Sequence, residues 1–377
     1  MTPQVFALFG LYTAAALAAA LAALHAGRPV EVGLGRCRWA ALAVAAVAAV
    51  FAVQGVTGPV RFGVFGVMQL AWLALAIVVP LSGLSLLLRR GPVSRGARAL
   101  ARFWLVMVPI ALHAMFVEPA RLQFETAALP SQAPLAAPLR IGVLSDIQCS
   151  TVTAHERGAL ARLMRETPDV ILIAGDFFQG SRAHFERTRD DFSALLRSLS
   201  APGGVWAVRG DVDGAGAGPI DGRSYFHALM RASGVNVLED EAARFEVRGV
   251  PVELYGHDRW STDPSKLLAF LSAPRAPGAA RLVLSHRPDP VLLHGAGHDV
   301  DLFVAGHTHG GQVVIPFFGP PLTLTEVPRR VGAGGLHTVN GAPIYVSRGV
   351  GMERGVAPRV RFFCPPEVAV VTLLPGL

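Results

Sequence analysis

Four apolar stretches crowd the front of the chain, at residues 5–24, 39–53, 62–88 and 103–117, and charges fall almost only between them. A helix that crosses the hydrocarbon core of a bilayer needs about 20 mostly apolar residues, within a range of about 17–25. The first and third stretches reach that length; the second and fourth need their flanks. A very apolar soluble helical domain is the competing reading, and the confinement of charge to the connections speaks against it. The first stretch does not have the form of a cleaved signal. No basic residue precedes it, and it ends at His25, Gly27 and Arg28 without a small-x-small site. The expectation is an all-α transmembrane region of about four helices over residues 1–118.

Arginines orient such a region, because basic loops stay on the cytoplasmic side. Arg28, Arg36 and Arg38 follow the first stretch, and Arg89, Arg90, Arg95, Arg98 and Arg102 follow the third. The connection after the second holds only Arg61. With four crossings both termini, and residues 120–377 with them, face the extracytoplasmic side; loss of one short crossing would invert this. His113, inside the fourth stretch, reads as a packing or interfacial residue before a functional one.

Residues 119–138 are polar, proline-dotted and without periodicity, and read as a linker. The pattern then turns α/β. Short apolar runs at 139–144, 170–174, 205–208, 282–284 and 301–305 read as buried strands, and 244–256 as paired strands. Helical spacing occupies 154–165, 182–199, 225–232 and 264–271, with a turn at 290–294. Further strands are expected near 312–315, 343–346 and 368–373. Alternation followed by a strand-rich end predicts a layered sheet sandwich flanked by helices over 139–377.

In open α/β folds, sites form beyond the carboxyl ends of the strands. Asp146, Asp176, Asp211, His286, His307 and His309 all sit there. A single aspartate in such a place is more often a cap or turn residue. Five strand ends each carrying Asp or His are hard to explain that way. Mixed carboxylates and imidazoles suit two divalent ions that activate a water and stabilise a phosphoryl transition state. Mn, Fe and Zn all suit such a set. The net charge of +7 is almost wholly arginine, Lys266 being the only lysine. No basic run is interleaved with aromatics, so no nucleic-acid partner is expected. Cys37, Cys149 and Cys364 lie far apart and indicate neither a zinc knuckle nor a disulfide framework.

The blocks Asp146-Ile147-Gln148, Gly175-Asp176-Phe177-Phe178-Gln179-Gly180, Gly210-Asp211-Val212-Asp213, Ser285-His286-Arg287-Pro288 and Gly306-His307-Thr308-His309 resemble the signature of the calcineurin-like metallophosphoesterases. The likeness is greatest to their membrane-attached bacterial branch, which includes phosphodiesterases and UDP-2,3-diacylglucosamine hydrolases. The tail, Ser347 to Gly351 and Arg361 to Glu367, resembles that branch too. The resemblance implies a four-layer α/β/β/α sandwich and a dinuclear site of two divalent ions. Asp146, Gln148 and His309 would hold the first ion and Asp211, His286 and His307 the second, with Asp176 bridging. It also implies a bacterial inner (plasma) membrane location, as a multi-pass protein.

Three positions depart from the family pattern. Gln148 and Asp211 keep oxygen donors where histidine and asparagine are usual. Val212 replaces the histidine thought to stabilise the phosphate or protonate the leaving group. General acid help is typically worth about 10²–10⁴ in rate. His257 and Asp213 are the candidate substitutes, although a loop histidine and a turn aspartate are the plainer readings. Arg348 and Arg354 flank a glycine-rich turn where a phosphate clamp is conceivable. The run Gly214-Ala215-Gly216-Ala217-Gly218 lacks the Lys-Ser/Thr of a P-loop and reads as a flexible loop. The expected function is membrane-anchored, metal-dependent hydrolysis of a phosphodiester or pyrophosphate, on a substrate linked to lipid. The alternative is a degenerate homologue that binds metal or ligand without turnover.

Overall fold

The computed structural model describes residues 63–213, 222–261, 263–289, 297, 299–354 and 357–376. The first two apolar stretches, the glycine run at 214–218 and the turn at 290–294 lie outside the described residues. The chain divides into two compact units, residues 1–116 with 353–359, and residues 117–352 with 360–377.

In the first unit the third apolar stretch is helical, as α1 (Gly63–Leu73), a π-helical turn (Ala74–Val78) and α2 (Val79–Leu87). The fourth stretch begins earlier than its apolar residues suggest. Ser94 accepts a hydrogen bond from Ala97 N at 3.2 Å and caps α3 (Arg95–Leu105), so the arginine-bearing turn is itself helical. With α4 (Met107–Leu112) and the turns that follow, Arg95–Ala120 forms one helix of membrane-crossing length and apolarity. Among the described residues it is the only one; the apolar helix Ala71–Leu87 is shorter. Of the four expected crossings, the first two fall outside the described residues, and one of the other two meets that length and apolarity. Ala97, Ala101 and Trp104 pack on Val79 and Leu86, while Phe103, Leu112 and Phe116 are exposed.

The second unit is built on twelve strands: β1 (Gln123–Pro130), β2 (Leu139–Leu144), β3 (Val170–Ile173), β4 (Val205–Ala207), β5 (Asn236–Val237), β6 (Glu241–Val247), β7 (Val250–His257), β8 (Ala280–Ser285), β9 (Leu302–Ala305), β10 (Gly335–Val339), β11 (Ala342–Val346) and β12 (Glu367–Leu374). They form two mixed six-stranded sheets, ordered β1-β12-β2-β3-β4-β5 and β10-β11-β9-β8-β7-β6. The central strands, β2 to β5 in one sheet and β7, β8, β9 and β11 in the other, run parallel.

Alternation along each strand explains why these runs are apolar throughout. Val170 and Leu172 of β3 face the core between the sheets, where they join Leu282 and Leu284 of β8 and Leu302 and Val304 of β9. Ile171 and Ile173 face the other way, onto Leu160 and Leu163 of α5 (Ala154–Met164), Phe192 and Leu196 of α6 (Arg182–Arg197) and Met230 of α7 (Gly222–Ala232). On the outer face of the second sheet, Val283 and Phe303 pack with Leu267 and Leu271 of α8 (Ser265–Ser272) and Val331 of α9 (Arg329–Gly332). A strand covered on both faces loses the polar alternation of a half-exposed one. Helices thus cover the outer faces of both sheets.

The segment 119–138 is not a linker along its whole length. β1 lies in it and pairs with β12 over residues 123–130. It is an edge strand, half-buried for most of its length, so only Leu129 reaches full burial and the sequence shows little alternation. β5 and β10 were likewise invisible, being two residues long and half-exposed respectively. The expected strand at 312–315 is a pair of isolated bridges, Val313 to Phe362 and Ile315 to Gly319, because a 3-10 turn at His309–Gly311 redirects the chain.

Asp301 ties residues 131–132 to the second sheet. Its Oδ1 accepts from Ser131 Oγ (2.8 Å) and Gln132 N (2.6 Å), and its Oδ2 from Arg281 N and Arg275 Nη1 (both 2.7 Å). Truncating a buried, paired charge costs about 3–5 kcal/mol. Asp301→Ala should therefore lower unfolding free energy in urea by about that amount, and a loss under about 1 kcal/mol would contradict the tie.

Candidate metal centre

The two sheets bring their carboxyl ends to one place. β2, β3 and β4 lead to Asp146, Asp176 and Asp211; β8 leads to His286, and β9 to His307 and His309. The backbone there is unusual. Asp146 (φ 47°), Gln148 (35°), Asp176 (55°), His307 (70°) and His309 (48°) all adopt the left-handed region. Non-glycine residues are uncommon there and pay about 1–3 kcal/mol each. The loops also approach closely. A Cβ on Gly306 would overlap Ser145 Oγ and stand 2.5 Å from Asp146 Oδ2, and one on Gly210 would overlap Asp176.

The side chains form two clusters, Asp211, His286 and His307, and Asp146, Asp176 and His286. Within each, the candidate ligand atoms lie no more than 4.8 Å apart. His286 Nδ1 lies 2.7 Å from the Ala174 carbonyl, which only accepts, so Nδ1 carries the proton. Its Nε2 is then aimed at Asp176 Oδ2 and Asp211 Oδ2, each 3.6 Å away. His307 Nδ1 stands 2.8 Å from Asp211 Oδ2, and His309 Nε2 stands 3.7 Å from Asp146 Oδ1. Asp146 Oδ2 accepts from His307 N (3.0 Å) and from Ser145 Oγ, while Asp176 Oδ1 accepts from Val212 N (2.9 Å).

This set fits divalent ions. Asp146 Oδ1, His286 Nε2 and His309 Nδ1 are buried and make no hydrogen bond to any described residue. Buried polar atoms seldom stay unpaired. The charge balance points the same way. Burial pushes the Asp146 carboxyl up to about 6 and the Asp176 carboxyl up to about 7. Burial would pull His286 down, yet Asp176, Asp211 and Asp146 outweigh it and hold the imidazole up near 10. Carboxylates that force a proton onto a buried imidazole mark a place short of positive charge, which a cation supplies. Burial lowers His307 and, more strongly, His309, and keeps both neutral, the form that ligates.

The remaining candidates are placed differently. Gln148 is buried beside the cluster of Asp146, Asp176 and His286, its backbone N on Asp176 O (2.9 Å) and its Nε2 donating to Gln179 Oε1 (3.2 Å). Asp213 is turned onto backbone. Its oxygens accept from Asp176 N (2.7 Å), Gly210 N (2.8 Å) and Phe177 N (2.9 Å), bracing the two aspartate loops. His257 ends β7 next to β8 in register with Ser285, and its Nδ1 lies 3.2 Å from Asp240 Oδ1. Arg348 does not reach the centre as a free cation. Nη2 is held by Glu125 (2.6 Å) and Nε by Glu367 (2.7 Å).

Three arginines were missed. Arg287 donates to Asp211 Oδ2 through Nε (3.2 Å) and Nη2 (2.8 Å), and Arg259 bonds Asp211 Oδ1. Burial would raise the Asp211 carboxyl, but hydrogen bonding and charge from His286 and His307 outweigh it and hold the group far below the usual range. Arg361 is fully buried and donates to the carbonyls of Arg348 (2.7 Å), Gly349 (3.2 Å) and Gly351 (2.5 Å). That loop in turn donates from Gly351 N to Asp146 O (2.7 Å). The signal available was adjacency: Arg287 directly follows the lone His, and Arg361 opens the tail block that runs to Glu367.

Metal uptake must displace protons from Asp146 and Asp176, whose pKa values near 6 and 7 lie above the ordinary carboxylate range. His286 must also give up its Nε2 proton, held to near 10, so affinity for Mn²⁺ should rise from about pH 5 to about 10, with net proton release in calorimetry across buffers of differing ionisation enthalpy. A flat profile would remove these two carboxylates from the ligand set.

Comparison with known proteins agrees with the geometry. Residues 139–311 match the family model for calcineurin-like phosphoesterase. The chain is 29% identical over 214 residues to the uncharacterized metallophosphoesterase YkuE of Bacillus subtilis, covering 55% of this chain and 68% of that one. It is 30% identical over 248 residues to the phosphodiesterase YaeI of Escherichia coli, covering 63% and 83%. It is 26% identical over 288 residues to the UDP-2,3-diacylglucosamine pyrophosphatase LpxG of Chlamydia trachomatis, covering 63% and 84%. With that coverage and the two sheets converging on a metal-binding set, the chain belongs to the calcineurin-like metallophosphoesterases, hydrolases of phosphoester bonds.

Proposed function

We propose that the chain is a membrane-anchored hydrolase of a phosphodiester or pyrophosphate bond that works with two divalent ions, Mn, Fe or Zn. Asp146, Gln148, Asp176 and His309 would hold one ion, and Asp176, Asp211, His286 and His307 the other. The observation that carries this reading is His286, its Nδ1 fixed on Ala174 O and its Nε2 aimed between Asp176 and Asp211. Ions held there supply Lewis acidity and lower the pKa of water.

The chain's own residues set what bond it can cleave. Val212 offers only its N–H, and that is spent on Asp176 Oδ1. Asp213 serves the backbone and His257 lies against Asp240, so we read the first as a brace and assign neither the acid role. Arg287 and Arg259 are the cations at Asp211, with side chains 34% and 25% exposed. Once an ion shares the charge of Asp211, their remaining N–H groups are available to phosphate oxygens, for which the guanidinium fork is suited. A site rich in charge neutralisation and poor in proton donors favours leaving groups that depart as stable anions. That suits a pyrophosphate or an acidic diester.

A lipid-linked substrate is supported by the name of the chlamydial relative and by the membrane-length helix Arg95–Ala120. An extracytoplasmic catalytic unit rests on the arginine distribution taken with four crossings; an odd number would place it on the other side. A second reading, a protein that binds metal without turnover, is favoured by Val212.

The test is hydrolysis of bis-p-nitrophenyl phosphate by the full chain in detergent, after chelation and refilling with Mn²⁺. Turnover should depend on the ion and vanish in His307→Ala. Stoichiometric metal without turnover, on this ester or on pyrophosphate-linked substrates, would favour the second reading; absence of metal would refute both. Val212→His should raise kcat on esters with poor leaving groups, towards the about 10²–10⁴ of general acid catalysis. Arg287→Ala should cost about 10–100-fold in kcat/KM, the worth of one hydrogen bond to a charged group at about 1.5–3 kcal/mol. An unchanged kcat/KM would remove Arg287 from the substrate.

A further inference from the structure

Beyond His309 the chain projects an aromatic tip that the hydrolytic chemistry does not use. Ile315-Pro316-Phe317-Phe318-Gly319 closes on itself, with Ile315 N donating to Gly319 O (3.1 Å) and Gly319 N to Ile315 O (2.8 Å). Its base is tied down by Val314 N on Phe362 O (2.8 Å), Phe362 N on Gln312 O (2.9 Å) and Gln312 N on His309 O (3.0 Å). The tip is therefore a formed structure, and it faces outward. Phe317 is fully exposed, Phe318 and Phe363 are more than half exposed, and Ile315 is 40% exposed. Phe317 also holds φ at 66°, a costly region for an aromatic residue. Soluble surfaces scatter single apolar residues and rarely present several together on one projection.

We infer that this tip inserts into the interface of an anionic lipid bilayer. Two further observations select that occupant. The Arg329 guanidinium lies 4.4 Å from the Phe318 ring centre, and Arg330 is exposed beside it, so the aromatic face is rimmed by positive charge. Glu326 is the exposed acid in that segment, leaving the arginines in excess. Aromatic rings at headgroup depth with arginines towards the phosphates is the pattern of interfacial anchoring. The chain also carries a helix long and apolar enough to cross a membrane, so a bilayer is the surface at hand.

Phe317 lies eight positions along the chain from His309, at most about 30 Å. A tip seated in the headgroup layer holds the metal centre within that reach of lipid phosphates. The bilayer contact stands on the tip alone; the consequence, that the scissile phosphate is taken from a lipid still in the membrane, rests on the hydrolase reading.

The experiment is nitroxide labelling of Phe317→Cys in the full chain with Cys37→Ser, Cys149 and Cys364 being buried. The chain is reconstituted in phosphatidylcholine vesicles with and without phosphatidylglycerol. A second label at Arg189→Cys, on the exposed face of α6, is the control. Collision rates with oxygen and with a water-soluble nickel chelate report depth. The expected result is preference for oxygen at 317 and for nickel at 189. The 317 preference should be stronger with phosphatidylglycerol and lose that dependence in Arg329→Glu/Arg330→Glu. Nickel preference at 317 would overturn the inference, as would spin–spin broadening that marks a second copy on the tip. Phe317→Ser should leave hydrolysis of bis-p-nitrophenyl phosphate unchanged. Absence of that hydrolysis in the parent chain, with the depth at 317 as expected, would fault the hydrolase reading and not the tip.

Discussion

Three carboxylates buried at the meeting edge of two sheets are the constraint on which the rest of this structure depends. A charge removed from water is costly unless it is paired and hydrogen-bonded. Asp146 and Asp176 are nearly inaccessible, and Asp211 is partly so. Much of the surrounding architecture serves them. Asp213 clamps the Asp176 and Gly210 loops through three backbone N–H groups. Arg361 gathers the carbonyls of the 348–351 loop, which supports the backbone of Asp146. The left-handed backbone at five candidate ligand positions is the strain the fold accepts to aim these groups at one another.

The same constraint explains how two departures from the family pattern go together. Replacing asparagine by Asp211 adds a negative charge, and Arg259 and Arg287 stand on it. Replacing histidine by Val212 removes a proton donor and a positive partner for phosphate. The arginines compensate the first change directly. They also offer guanidinium N–H groups where the second removed an imidazole, although they cannot donate a proton as an acid. On the proposed function the site would rest on charge neutralisation more than on acid catalysis.

The legible parts of the sequence were those whose burial is uniform. Runs covered on both faces, such as 170–174 and 302–305, stood out because each side chain on them is apolar. The strand-end aspartates and histidines stood out because nothing else breaks those runs. β1 was hidden because an edge strand is half-buried and its pairing partner, β12, lies more than two hundred residues away. Asp213 and His257 are polar residues next to ligand loops, and proximity in sequence could not show that one faces backbone and the other Asp240. The pairing of Arg348 was hidden for the same reason, since Glu125 comes from a strand distant in sequence.

By itself the sequence determined the order of apolar runs, the residue types at their ends and therefore the class of ion and chemistry the second unit can support. Only the tertiary structure decided which nitrogen of His286 faces the carboxylates, which arginines stand on Asp211, and that the loop beyond His309 carries its phenylalanines outward. The physical reason is that burial leaves a local imprint on composition and periodicity. Hydrogen-bond direction and charge pairing depend on partners that meet only when the two sheets close on each other.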